Sequence, residues 1–184
     1  MKGCLIAFPS MALTCLIALS ACNSSNQAEN QQTSSSTSTT SGGSYQASLA
    51  LSSPPEISAN GQSIIVTVNV TNTGSGTFGS TTTPNNVNLA AHGIDATGKI
   101  VDQDLVRGHL PQVTPGATAS ATILLPVDKI LGRSAEILPV QENVAWFDKW
   151  GTKPLKVGPF EACSDTAAGK VCDSNGKPLA VAAQ

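Results

Sequence analysis

Aromatic side chains are scarce in this chain: seven in 184 residues, as four Phe, two Trp and one Tyr. A core with so few rings must be filled by aliphatic side chains, and each ring inside it carries more of the packing. Charge is scarce too, with 10 Lys and Arg, 12 Asp and Glu and two His. No basic run exists, which argues against partners held by a positive face, nucleic acid above all. Helical periodicity is nearly absent, so a helical bundle is excluded. There is no Gly-x-Ser-x-Gly elbow and no glycine-rich phosphate loop ahead of a helix, and the carboxylates are scattered rather than paired. The expectation is a protein that is not an enzyme and needs no cofactor.

The one long apolar run lies at the start, in "MKGCLIAFPSMALTCLIALSAC". Lys2 is its only charge, and the run from Leu5 to Leu19 has the length of a signal-peptide core rather than of a membrane span. It closes on Leu19-Ser20-Ala21-Cys22, which resembles the lipobox of bacterial lipoproteins. The resemblance implies cleavage after Ala21, a diacylglycerol on the Cys22 thiol and usually an acyl chain on its amino group. At about 0.8 kcal/mol per buried CH₂, two or three chains hold where one would not. The partner expected first is therefore a membrane, reached through the anchor. The expected location is the cell envelope, and Asn23 favours the outer membrane in a cell that has two.

Residues 23 to 45 are Ser, Thr, Asn, Gln or Gly at 20 of 23 positions. Such a segment cannot bury enough apolar area to offset its ordering, so 22–45 is expected to be the lipidated Cys and a flexible tether. Its root-mean-square reach is about 25–30 Å at ~5–6 Å × √n. Without Lys2 the chain keeps 9 cations against 12 acids, a net charge of −3. Of the five cysteines, Cys4 and Cys15 fall in the signal segment 1–21 and Cys22 is the acylation site, which leaves Cys163 and Cys172. An even pair in an oxidising compartment, with no His beside it, is expected to form a disulfide. That disulfide would close the extension 161–184.

The stretch 46–160 alternates like a β-protein. Ile64, Val66, Val68 and Val70 interleave with Ile65, Thr67, Asn69 and Thr71, a period of two. "VNLAAHGI" and "KIVDQDLV" flank the turn "DATG", and "PGATASATILLP" starts on a Pro-Gly turn. "ASLALS", "SAEILPVQENVAWF" and "PLKV" supply further strands, while "VDKIL" suits one helical turn. Short strands at near-regular spacing predict an all-β fold, an Ig-like antiparallel β-sandwich of about seven strands.

"VTVNVTNTGS", then "VNLAAHGIDATGK" and "TPGAT", then "VQENVAWF" with "PLKV" behind it, resembles an Ig-like accessory domain attached to bacterial surface-polysaccharide enzymes. The likeness spans residues 62 to 158. It implies a non-catalytic binding or scaffolding module, for an envelope glycan or a protein partner. The chain departs from that pattern at Ala91, Gly93 and Ser134, where aromatics are usual. An alternative is an Ig-like proteinase inhibitor of the envelope, which "NTGS", "DATGK" and "TPG" resemble more faintly.

"NVAWFDKWGTKPLKVGPF" holds four of the seven aromatics. Alternation puts Val144 and Trp146 on one face and Ala145 and Phe147 on the other, and Trp146 is expected to fill the core. Trp150, between Lys149 and Gly151, is expected to be an exposed loop contact, with its alternative a lid over the sheet edge. Trp150, Phe147 and His92 are the candidate ligand contacts. His92, His109 and Asp104 could in principle supply three metal ligands across neighbouring strands, and solvated histidines near turns are the expectation instead.

Overall fold

A computed structural model of the chain describes residues 44–80, 86–164 and 170–183. The signal segment, Cys22 and the tether up to residue 43 lie outside the described residues. The elements in order are β1 (Ala47–Leu51), β2 (Glu56–Ile57), β3 (Ser63–Asn72), β4 (Val87–Ile94), β5 (Ile100–Gly108), β6 (Thr118–Pro126), the single helical turn α1 (Val127–Ile130), β7 (Arg133–Gln141), β8 (Ala145–Trp146), a 3₁₀ turn (Phe147–Trp150), β9 (Leu155–Ala162), β10 (Val171–Cys172) and β11 (Ala180–Val181). Among the described residues seven strands have five or more residues, and the other four are two-residue pieces.

β3 shows why the chain forms a sandwich. Ile64, Val66, Val68 and Val70 are fully buried, while the residues between them are half-exposed. In the first sheet β3 is central, with β1 and β2 in succession along one side and β6 along the other; β11 lies parallel to β2. The second sheet runs β10-β9-β7-β4-β5, and β8 pairs with the end of β7. Apart from β11 with β2, every strand pair is antiparallel. The chain crosses between sheets after β3, β5, β6 and β10, and the longer strands make the Ig-like arrangement of three facing four. The core between them is aliphatic around three buried rings, Phe78, Phe147 and Phe160.

Asn72, fully buried at the end of β3, fastens one end of the sandwich. Its Nδ2 donates to the carbonyls of Gly76 (2.8 Å) and Val113 (3.0 Å), and its Oδ1 accepts from Gly74 N–H (2.9 Å). The loop it shapes receives the incoming chain, since Thr73 and Gly74 donate to Gln46 C=O and Ser75 to Ser44 C=O. The approach is close: a β-carbon on Gly74 would stand 2.0 Å from the Ser44 oxygen. Ser44 and Tyr45, expected as the last tether residues, are thus already part of the fold.

Two turns repeat one design. In Asp95-Ala96-Thr97-Gly98-Lys99, Asp95 Oδ1 accepts from the N–H of Thr97 and of Lys99. In Asp173-Ser174-Asn175-Gly176-Lys177, Asp173 Oδ1 accepts from the N–H of Asn175 and of Lys177. The side chain imitates a backbone acceptor, and Gly98 and Gly176 take the positive φ (84° and 75°) that the hairpin needs. The second turn is rooted by the Cys163–Cys172 disulfide. Beyond it the tail docks: Leu179 N–H donates to Val171 C=O and Ala182 N–H to Ile57 C=O. Residues 179–182 thereby tie an edge of the second sheet to an edge of the first. This clasp stands at the end opposite the incoming chain, where β3 starts and β9 finishes.

Candidate functional site

The structure reverses the expected roles of Trp146 and Phe147. Phe147 has no exposed surface, and its ring packs edge-on against Phe78 with centroids 5.2 Å apart. The cause is the tight turn at Glu142–Val144, where Asn143 takes φ 59° and β8 folds back so that Trp146 pairs with Val140. Directly paired residues share a face. Ala135 and Ile137 of β7 belong to the core, so Val140, an odd number of places further on, faces outward and takes Trp146 with it. The chain then leaves strand geometry at Phe147, which turns inward. Phe147 therefore cannot touch a ligand.

Trp150 is a lid rather than a platform. Its ring lies 5.2 Å from Phe147 and 5.7 Å from Tyr45, centroid to centroid, and it is half-buried. Gln46 Nε2 donates to its carbonyl (2.9 Å), and Ala47 N–H donates to Thr152 Oγ1 (3.0 Å). Tyr45, Phe78, Phe147 and Trp150 form one cluster that closes over the incoming chain. Burial raises the Tyr45 phenol above its ordinary pKa.

His92 does lie at an aromatic site, with Trp146 as its partner. It sits on the outer face of β4, 4 % exposed, with its ring centroid 3.8 Å from that of Trp146 and the planes tilted by 34°. Its Nδ1 meets the Gln103 carbonyl, which can only accept, so Nδ1 carries the proton. The Arg107 guanidinium carbon stands 5.9 Å from the Trp146 ring centroid. Arg107 is paired with Ala90, so the same outward row supplies it. Its Nε donates to both Asp104 oxygens (3.0 and 3.1 Å), and another guanidinium nitrogen donates to Glu142. Glu142 also accepts from Asn88 Nδ2 (2.5 Å), and Asn88 accepts from the Ser80 hydroxyl (2.6 Å). Partial burial pulls the Arg107 pKa down, but the bonds to Glu142 and Asp104 outweigh it and the net shift is upward.

An indole is thus held against buried His92 and beside buried Val140, on the outward face that also carries buried Ala90 and Leu138, and is rimmed by a guanidinium, two carboxylates and an amide. This arrangement suits recognition. A planar apolar surface offers contact area, and the rim offers donors and acceptors already fixed in direction. His109 is exposed. Among the described residues no three His, Cys, Asp or Glu side chains gather around a point that could hold a metal ion. Among them, too, no helix is long and apolar enough to cross a membrane. Trp146, Arg107, Glu142 and Asn88 were not foreseen as a group. "VQENVAWF" contains two of them, but only the turn within it shows which ring faces out.

No protein-family model matches the chain, and no curated protein and no solved structure matches it.

Proposed function

We propose that the chain is a lipid-anchored, non-catalytic binding module of the cell envelope, which contacts its ligand through the outer face around Trp146. The observation that carries this reading is the outward indole held between His92 and Arg107, a feature the core does not require. A pyranose ring offers such a surface an apolar C–H face, and its hydroxyls reach the carboxylates, amide and guanidinium at the rim. An envelope polysaccharide is therefore the favoured ligand, with a protein partner second. The "LSAC" ending of the N-terminal segment supports acylation at Cys22, and the Ser/Thr-rich segment behind it supports a spacer that holds the domain off the membrane.

Two experiments test the reading. Labelled palmitate should enter the chain and be lost in Cys22→Ala; equal labelling of that variant would remove the anchor. Co-sedimentation with purified envelope polysaccharide should fall about tenfold or more in Trp146→Ala, the loss expected for one buried aromatic contact of about 1.4 kcal/mol or more. Unchanged sedimentation of Trp146→Ala would contradict the assigned face.

A further inference from the structure

We propose that two copies of the chain pair through β1, edge to edge and antiparallel, joining their first sheets into one. The inference does not depend on the ligand-binding reading. Among the described residues β1 pairs with one strand only, β3. Asn72 N–H donates to the carbonyl of Ala117, just before β6, and Ser52 N–H donates to Thr67, which fixes the alternation along the ladder. Ser48 and Ala50 therefore bond inward to Thr71 and Asn69, while Ala47, Leu49 and Leu51 direct N–H and C=O to the free edge. Ala47 N–H is taken by Thr152 Oγ1. Among the described residues the backbone groups of Leu49 and Leu51 have no hydrogen-bond partner.

Long edges are normally guarded against this kind of pairing by charge, proline or irregular register. The edge of β5 carries Asp102 and Asp104, and its pairing with β4 shifts register twice. β9 contains Lys156 and Pro159. The free side of β6 is approached so closely by β5 that a β-carbon on Gly108 would stand 2.7 Å from Thr122 O. β1 has no such guard. From Ser44 to Pro55 the chain has no charge, and no proline before Pro54. The outward residues of β3 and β6 that continue the face are Thr, Ser and Asn with Ile65 and Leu124, again uncharged. A second copy meets no charge on β1 itself or on the outward residues of β3 and β6, Lys156 and Asp173 lying to one side in the cleft beside Leu51, and a two-fold axis makes each edge the complement of the other.

The open groups set the register. With Ala50 opposite Ala50 of the second copy, Leu49 of each pairs with Leu51 of the other, and four hydrogen bonds form. The axis then passes beside Ala50, a non-hydrogen-bonded pair with Cα atoms about 4.5 Å apart. The two Tyr45 residues fall roughly 33 Å apart at ~3.3 Å per residue.

Site-directed cross-linking of the full chain in detergent tests the pairing. Ala50→Cys places two thiols within the Cα window of about 4.4–6.8 Å that a disulfide accepts. Ser48→Cys places its pair four residues apart along the strands, about 13 Å, and serves as the control. The expected result is a dimer band on a non-reducing gel for Ala50→Cys and none for Ser48→Cys or the parent chain. Ala50→Lys, which sets two like charges face to face, should shift the sedimenting species from dimer to monomer. A monomer for Ala50→Cys, equal cross-linking of both cysteine variants, or a parent chain that sediments as monomer throughout would overturn the proposal.

Discussion

Trp146 and Phe147 are consecutive residues that face opposite sides of one sheet. Phe147 packs against Phe78 in the core, and Trp146 lies over His92 on the outer surface. The two neighbouring rings therefore have separable jobs. Phe147 belongs to the cluster that closes over the incoming chain, and Trp146 belongs to a polar-rimmed face that the core does not need.

Truncation should separate them. Phe147→Ala empties a fully buried ring site and should cost roughly 3–5 kcal/mol of stability. Trp146→Ala removes a half-exposed ring and should cost clearly less. Denaturant unfolding of the two variants measures both, and equal losses would make the Trp146 face a structural cap.

Asn72→Ala strips three hydrogen bonds from a fully buried position and leaves the Gly76 and Val113 carbonyls without that donor. The Val113 carbonyl keeps the Phe78 N–H, so the Gly76 carbonyl carries the loss, expected at about 1–3 kcal/mol. Asn72→Asp should be no better, because a carboxylate oxygen would face two carbonyl oxygens. The same variants should expose Trp150 to acrylamide, since the Asn72 loop holds Ser44 and Gln46 in place. Unfolding midpoints and quenching at those two positions check the chain of dependence.

The Asp95 turn should loosen in acid. The Thr97 hydroxyl first, then the Lys99 N–H, hold the Asp95 carboxyl below its ordinary range. Because the folded value is the lower one, the carboxylate's contribution is complete above the unfolded value of about 3.9 and is lost as pH falls through the folded value. The Thr97 and Lys99 amide resonances should move with that transition and stay still in Asp95→Asn. Movement at the ordinary carboxylate value would contradict the bonded turn.

Most of the strands were legible because their faces differ. β4 runs from Val87 to Ile94 as its apolar pattern indicates, and the alternation of β3 matches its burial residue for residue. The helical turn at Val127–Ile130 was also readable, from "VDKIL". The aromatic segment was misread for a local reason. Alternation counted through "ENV" assumes an unbroken strand, whereas the turn there resets which face comes next. The docked tail escaped notice because β10 and β11 are two residues each, too short for any period. Its Asp-x-x-Gly-Lys turn repeats the one at Asp95, a likeness the pattern of strands alone did not bring out. Arg107 and Glu142 could not be joined from sequence, being 35 positions apart and brought together only by the pairing of β5, β4 and β7.

The most direct test of the central claim is a tryptophan fluorescence titration with purified envelope polysaccharide on the parent chain, Trp150→Phe and Trp146→Phe. The account predicts a saturating change that survives in Trp150→Phe and disappears in Trp146→Phe. A change that follows Trp150 instead, or the same response in both variants, would contradict a ligand face built on Trp146.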